Sequence, residues 1–176
     1  MAHDLVSSLD SLVSLPFSSL LIRDGAGEYR PAVDEEVLAA AQRVLASRVR
    51  GGCVLDSPAV VKDFLRVRLG DLPHEIFAVV HLDSHHRVID YVEMFRGTLT
   101  QTSVHSREVV KEALRLNSSA LLLVHCHPGG CADPSRSDEQ LTQVLKAAAA
   151  LVDVRVLDHL IVAGGTVLSM AERGLV

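Results

Sequence analysis

The pattern of apolar and polar residues changes along the chain near residue 53. From there on, short apolar runs bounded by polar turns alternate with longer amphipathic segments. The short runs predict strands at residues 75–83, 88–97, 119–128, 155–165 and 166–174. The longer segments predict helices at residues 58–70, 106–117 and 134–153, and a further helix is predicted upstream at residues 33–50.

Residues that begin or end helices support these assignments. Asp34 is suited to capping the first predicted helix, which carries acids in its first turn and arginine in its last. Pro58 stands at the first position of the second helix, and Gly70 at its end. Ser106 is predicted to be the N-cap of the third helix.

The alternation of helices and strands predicts an α/β fold, in which helices flank a mixed β-sheet. The apolar run at 119–128 is typical of a strand in the middle of a sheet. The pair Gly51-Gly52 predicts a boundary between an N-terminal extension, residues 1–52 and partly helical, and a main domain, residues 53–176. Residues 1–30 are rich in Ser and Leu, and they are compatible with short strands or a docking arm.

Composition narrows the class of protein. The 176 residues are 48% apolar and 22% charged with a net charge of -5, which is typical of a globular domain and disfavours direct binding of nucleic acid. Aromatic residues make up only 3%, so base stacking is disfavoured as well. The cysteines form no CxxC pair, no basic segment precedes an apolar one at the N-terminus, and the apolar runs are too short to cross a bilayer. We therefore expect a cytoplasmic protein without membrane attachment.

A candidate metal site lies at the end of the predicted strand 119–128. Residues two apart on a strand project from the same face, so His125 and His127 point together while Cys126 points away. A Pro-Gly-Gly turn follows, and a helix begins near Ser135 with Asp138 in its first turn. Two imidazoles and one carboxylate match the open ligand set of catalytic zinc, whose fourth position holds water. One zinc ion per chain is expected.

Simpler explanations exist for each part of this pattern. An isolated HxH is common by chance. Ser135 and Asp138 resemble a capping box, with Asp in place of the usual Glu. Cys131 is suited to being a loop thiol, and Cys126 to being a small buried residue. The conjunction of all these residues at one fixed spacing is what favours a metal site.

The spacing of His125, His127, Ser135 and Asp138 resembles the motif of the JAMM (JAB1/MPN+) metallopeptidases. The surrounding text, from EIFAVVHLD through HCHPGG and PSRSD to LDHLIVAGG, resembles the bacterial RadC family over residues 54–176. The resemblance implies a cytidine-deaminase-like α/β sandwich that carries zinc and hydrolyses peptide or isopeptide bonds in a peptide or protein substrate. RadC proteins usually read HNHPSG, so Cys126 and Gly129 are departures, although neither is a ligand.

The resemblance also implies a general base and an oxyanion donor. JAMM enzymes use a glutamate upstream of the HxH segment, and Glu75 stands at the matching position. Its role would be to take a proton from water and hand it to the leaving amine. Glu93 in the hairpin partner is the competing candidate. Ser135 would donate a hydrogen bond to the developing oxyanion.

The remaining histidines are predicted to lie outside the site. His85 and His86 fall in a polar turn, and His81 alternates with apolar residues as a partly buried sheet residue would. His159 is predicted to be a core histidine or a residue that supports the ligands from behind.

Two further functions stay open at this point. One is a DNA-repair or mobile-element accessory protein that acts through partner binding with a non-catalytic zinc site. The other is a zinc nuclease or deaminase, although a deaminase needs a PCxxC pair that this sequence lacks.

Overall fold

The computed structural model describes residues 20–23, 25–50, 58–98 and 103–176. Four helices lie in these ranges: α1 (Asp34–Arg50), α2 (Pro58–Leu69), α3 (Ser106–Arg115) and α4 (Arg136–Ala150). The seven strands are β1 (Leu21–Arg23), β2 (Tyr29–Pro31), β3 (Ile76–Leu82), β4 (Val88–Arg96), β5 (Ala120–Cys126), β6 (Arg155–Ala163) and β7 (Thr166–Ser169). None of the helices in these ranges is long and apolar enough to cross a membrane.

The chain forms two compact units, residues 1–41 and 42–176, so the division between them falls inside α1. In the first unit, β1 and β2 pair as an antiparallel hairpin. Arg30 forms an ion pair with Glu36 in the first turn of α1, with 2.7 Å between Nη2 and Oε1. The domain boundary predicted at Gly51-Gly52 lies outside the described residues and stays a prediction.

The second unit is built on a five-stranded sheet in the order β4-β3-β5-β6-β7. β5 and β6 run parallel, whereas every other neighbouring pair is antiparallel. All seven residues of β3 and all seven of β5 are buried, as expected for apolar strands in the middle of a sheet. The predicted α/β fold with a mixed sheet is therefore confirmed.

Helices cover both faces of this sheet, and each face has its own apolar core. On the first face α2 packs through residues such as Phe64 and Leu65 against the even-numbered residues of β3 and β5. On the second face α3 and α4 pack against odd-numbered residues such as Phe77 and Leu123. Strand alternation thus assigns every apolar side chain of β5 to one core or the other.

The start of α3 differs from the prediction. Ser106 is the first helical residue rather than the N-cap, and His105 takes the N-cap position with an extended backbone (φ -102°, ψ 110°). The His105 side chain makes no capping hydrogen bond. The backbone carbonyl of His105 instead accepts hydrogen bonds from the N–H groups of Glu108 and Val109. Although serine is a favourable N-cap residue, its presence at position 106 therefore did not determine where α3 begins.

Candidate metal centre

The end of β5 brings two imidazole rings together. His125 lies on the second face of the sheet, and Cys126 packs into the core on the first face. The ladder with β6 continues one residue past β5, because the His127 N–H donates to the Val162 carbonyl at 2.7 Å. His127 therefore projects on the same side as His125, and the two ring centroids are 4.8 Å apart at an interplanar angle of 80°. The expected orientation of the HxH segment is confirmed.

The first turn of α4 supplies a carboxylate to the same place. Ser135 is the N-cap, and Asp138 completes a capping box with it. One oxygen of Asp138, Oδ2, accepts hydrogen bonds from the Ser135 N–H at 2.8 Å and from the Ser135 hydroxyl at 2.6 Å. The other oxygen, Oδ1, lies 3.2 Å from Nδ1 of His125. The capping box, which is the simpler explanation of this pair of residues, is thus present. The carboxylate still faces both histidines, since Oδ2 lies 3.7 Å from Nε2 of His127.

The donor atoms of His125, His127 and Asp138 suit a metal ion. One potential ligand atom from each lies within 4.8 Å of the other two. His127 donates from its Nδ1–H to the Cys131 carbonyl at 2.8 Å, which leaves the lone pair of Nε2 available. Both ring nitrogens of His125 are buried without a hydrogen-bond partner among the described residues. Three nitrogen and oxygen donors leave a coordination position for water or substrate, as in catalytic zinc sites.

The carboxyl group of Asp138 is held in its charged form. Burial alone would raise its pKa, but the close imidazole of His125 and the hydrogen bonds from Ser135 together bring that pKa well below its usual range. Asp138 is only 4% exposed. A buried carboxylate that stays charged can bind a cation without first losing a proton.

The two candidate bases lie on different faces of the sheet. Glu75 precedes β3 and is buried, and its Oε2 lies 3.5 Å from Nε2 of His125. Glu93 pairs in register with Ala78 on the first face, where it forms an ion pair with Arg68 at 2.9 Å. Only Glu75 therefore borders the three candidate ligands.

The residue between the two histidines contacts the backbone on either side of Glu75. The Ile76 N–H donates to the Cys126 sulfur at 3.1 Å, and the Cys126 thiol lies 3.5 Å from the His74 carbonyl oxygen, to which it donates. Burial raises the pKa of this thiol, so it stays protonated and inert. The expectation that Cys126 is a small buried residue is confirmed. Its contacts with the backbone next to Glu75 were not predicted from the sequence.

The structure also joins residues that sequence reasoning did not connect. His159 of β6 is fully buried and lies against His125, and its Nδ1 is 2.7 Å from the hydroxyl of Thr142 in α4. The sequence around Thr142 has no local pattern that would predict this contact. His85 is exposed in its turn, as predicted. His81 is completely rather than partly buried.

Comparison with known proteins identifies the family of the domain that carries this site. The family described as the RadC-like JAB domain matches residues 55–175. A UPF0758 protein of Methylibium petroleiphilum is 53% identical over 172 residues, which cover 98% of this chain and 78% of that protein. A UPF0758 protein of Leptothrix cholodnii is 55% identical over 86% of this chain and 68% of its own length, and one of Nitrosomonas eutropha is 46% identical over 100% and 80%. None of these names states an activity.

Proposed function

This chain belongs to the family of RadC-like JAB domains, and on that premise we propose that it is a zinc-dependent hydrolase of amide bonds in peptide or protein substrates. The observation that carries the proposal is the convergence of His125, His127 and Asp138, whose ligand atoms lie within 4.8 Å of one another, beside the buried carboxylate of Glu75. A set of three ligands with an adjacent base is suited to hydrolysis rather than to a purely structural metal.

The three candidate ligands are held from outside the metal position. His127 is oriented by the Cys131 carbonyl, and Asp138 by the backbone and hydroxyl of Ser135. When bound, zinc supplies Lewis acidity, which polarises a carbonyl group and lowers the pKa of a water molecule to about 7. Fixed donors of this kind lose little freedom on binding the ion, which favours affinity.

Glu75 has the position required of a general base. Its side chain is 10% exposed, so its carboxylate is shielded from most solvent, and it lies 3.5 Å from His125. A carboxylate there accepts a proton from the attacking water and returns it to the departing amine, so that the cleaved bond releases a neutral amine. Glu93 is excluded from this role in the proposal, because its carboxylate pairs with Arg68 on the opposite face.

Ser135 is proposed to stabilise the oxyanion, as the family resemblance implies. In this structure its hydroxyl hydrogen is donated to Asp138 at 2.6 Å. A hydroxyl has only one hydrogen to donate, so Ser135 serves the oxyanion when that hydrogen turns from Asp138 to substrate. Holding Asp138 and assisting the reaction are therefore successive tasks of one group.

Glu75→Gln tests the hydrolase proposal directly. The zinc-loaded full chain is incubated with a diverse peptide mixture, and new termini are identified by mass spectrometry. We expect cleavage by the wild type, and a loss of about 100-fold or more in Glu75→Gln with its zinc content unchanged. Glu93→Gln is the matched control and should keep both activity and zinc.

Other results would reject parts of this proposal. Cleavage that persists at the wild-type rate in Glu75→Gln would remove Glu75 as the base, and loss of cleavage in Glu93→Gln alone would assign that role to Glu93. A zinc-loaded wild type that cleaves nothing would favour an accessory protein with a non-catalytic metal site.

A further inference from the structure

We infer that His159 and Thr142 are positioning residues, which hold His125 and Asp138 in the arrangement that binds the metal ion. This inference rests on the proposed metal site. Neither residue belongs to the group of three candidate ligands. Both lie behind that group, in the core between the sheet and α4, and both are completely buried.

The first contact is between imidazole rings. The rings of His159 and His125 are nearly parallel, at an interplanar angle of 16° with centroids 6.3 Å apart. Phe77 of β3 presents an edge-on contact to both, at 6.3 Å from His125 and 5.9 Å from His159. His125 is therefore confined by two rings at its back, while its contacts with Asp138 and Glu75 lie at its nitrogens.

The second contact passes through Thr142 to the helix that carries Asp138. The Thr142 hydroxyl donates to the Asp138 backbone carbonyl at 2.6 Å, and it lies 2.7 Å from Nδ1 of His159. Since a hydroxyl has one hydrogen, Thr142 must accept from the Nδ1–H of His159 while it donates to Asp138. Asp138 is thus fixed at its carboxylate by Ser135 and at its carbonyl by Thr142.

His81 shows what is particular about His159. It is also completely buried, its Nδ1 is 2.9 Å from the Ser118 hydroxyl, and its Nε2, like that of His159, has no partner among the described residues. Yet His81 pairs with Leu121, four residues and roughly 13 Å along the sheet from the Phe77–His125 pair. An unpartnered buried nitrogen is therefore common to both histidines and does not distinguish His159. What distinguishes His159 is its ring contact with His125 and its link through Thr142 to Asp138.

The consequence for the site is a shared support. Groups that orient metal ligands from behind set affinity and geometry without contacting the ion, and their loss typically weakens metal binding by about 10- to 100-fold. The hydrogen bond between His159 and Thr142 joins β6 to α4, the helix that carries Asp138. β6 lies beside β5, the strand that carries His125. Replacing either side chain should therefore leave the relative positions of His125 and Asp138 less firmly fixed.

Cobalt binding tests this inference without any substrate. The full chain is stripped of metal and titrated with Co²⁺, and the dissociation constant and visible absorption spectrum are recorded. We expect Thr142→Val, which keeps the shape but removes the hydroxyl, and His159→Leu to bind Co²⁺ about 10- to 100-fold more weakly with an altered spectrum. Thr142→Ser, which restores the hydroxyl, and the matched control His81→Leu should stay within about twofold of wild type.

The possible results distinguish failure of the proposed metal site from failure of the positioning role. If the wild type binds no Co²⁺, the proposed metal site itself fails, and this inference fails with it. If the wild type binds Co²⁺, and Thr142→Val and His159→Leu bind it with the wild-type dissociation constant and spectrum, the positioning role alone is rejected. A loss of folding stability in these variants would not restore that role. If His159→Leu does not fold, Thr142→Val decides, since its side chain fills the same space.

Discussion

The carboxylate of Asp138 completes a capping box and faces both candidate histidine ligands. Oδ2 accepts two hydrogen bonds from Ser135, the N-cap of α4, and lies 3.7 Å from Nε2 of His127. Oδ1 lies 3.2 Å from Nδ1 of His125. The cap orients the carboxylate, and the helix N-terminus favours its negative charge. A capping box and a metal ligand are therefore compatible in one residue, and the common motif does not argue against the rarer function.

Ser135→Ala should weaken both tasks. The change removes the acceptor for the Asp138 N–H and the hydroxyl that donates to Asp138. We expect the free energy of unfolding to fall by about 1 kcal/mol, as for loss of an N-cap, and the zinc dissociation constant to rise by about tenfold. Urea titration and chelator competition measure these effects. Ser135→Thr keeps the hydroxyl and should restore both, and a Thr variant as weak as the Ala variant would contradict this explanation.

His81 makes stability depend on pH. Burial lowers its pKa from 6.5 to about 4, although the nearby charges of Glu112 and Asp90 oppose the shift. Between these values the unfolded chain binds a proton that the folded chain does not, so stability should fall as pH decreases from 6.5 to about 4 and then level off. The shift corresponds to a loss of about 3 kcal/mol at most. Urea unfolding of the metal-free wild type and His81→Leu across this range should show the difference, and parallel pH profiles would refute it.

At the scale of elements, the N-terminal turn of α4 and the end of β5 form the site because a short connection returns the chain to the same edge of the sheet. Gly130 lies in that connection with φ at 78°, a conformation that glycine adopts without strain, and its N–H donates to the His127 carbonyl. The tight turn keeps Asp138 close to the two histidines. The strand supplies two donors on one face, and the helix supplies the third.

The end of α2 depends on a close approach to the β6–β7 turn. A Cβ atom placed on Gly70 would lie 2.5 Å from the Arg66 carbonyl oxygen and 2.6 Å from that of Gly164. We expect Gly70→Ala to lower the free energy of unfolding by about 1–3 kcal/mol, because backbone must shift to admit the methyl group. Gly165→Ala is the matched control, since no atom lies within 4 Å of a Cβ there. The midpoints of urea unfolding are measured for both variants. Equal midpoints would contradict the prediction, because the backbone around Gly70 would then shift at little cost in free energy.

The local elements could be predicted because their signals lie within a few residues. Strand alternation places His125 and His127 on one face, and the spacing from Ser135 to Asp138 marks a helix start. The contact between Thr142 and His159 joins residues 17 positions apart on different elements, so no local pattern announces it. The N-cap of α3 was predicted one residue too late, at Ser106 instead of His105, because backbone geometry rather than capping residue type determined where the helix begins.

At the scale of the whole molecule, the five-stranded sheet separates two apolar cores and places the candidate site at the end of its central strand. Glu75 lies beside the site because β3 is the neighbour of β5 in the sheet. This strand order cannot be read from either sequence segment alone. The net charge of -5 gives the molecule no overall attraction for a polyanion such as DNA.

The zinc content of the purified chain shows whether His127 and Asp138 bind a metal ion. Wild type, His127→Ala, Asp138→Ala and the exposed-histidine control His85→Ala are loaded with zinc, freed of excess ion and analysed by plasma mass spectrometry. The convergence of the three ligands predicts about one zinc ion per chain in the wild type and in His85→Ala, and almost none in the two ligand variants. Folded ligand variants that retain as much zinc as the wild type would contradict the assignment of His127 and Asp138.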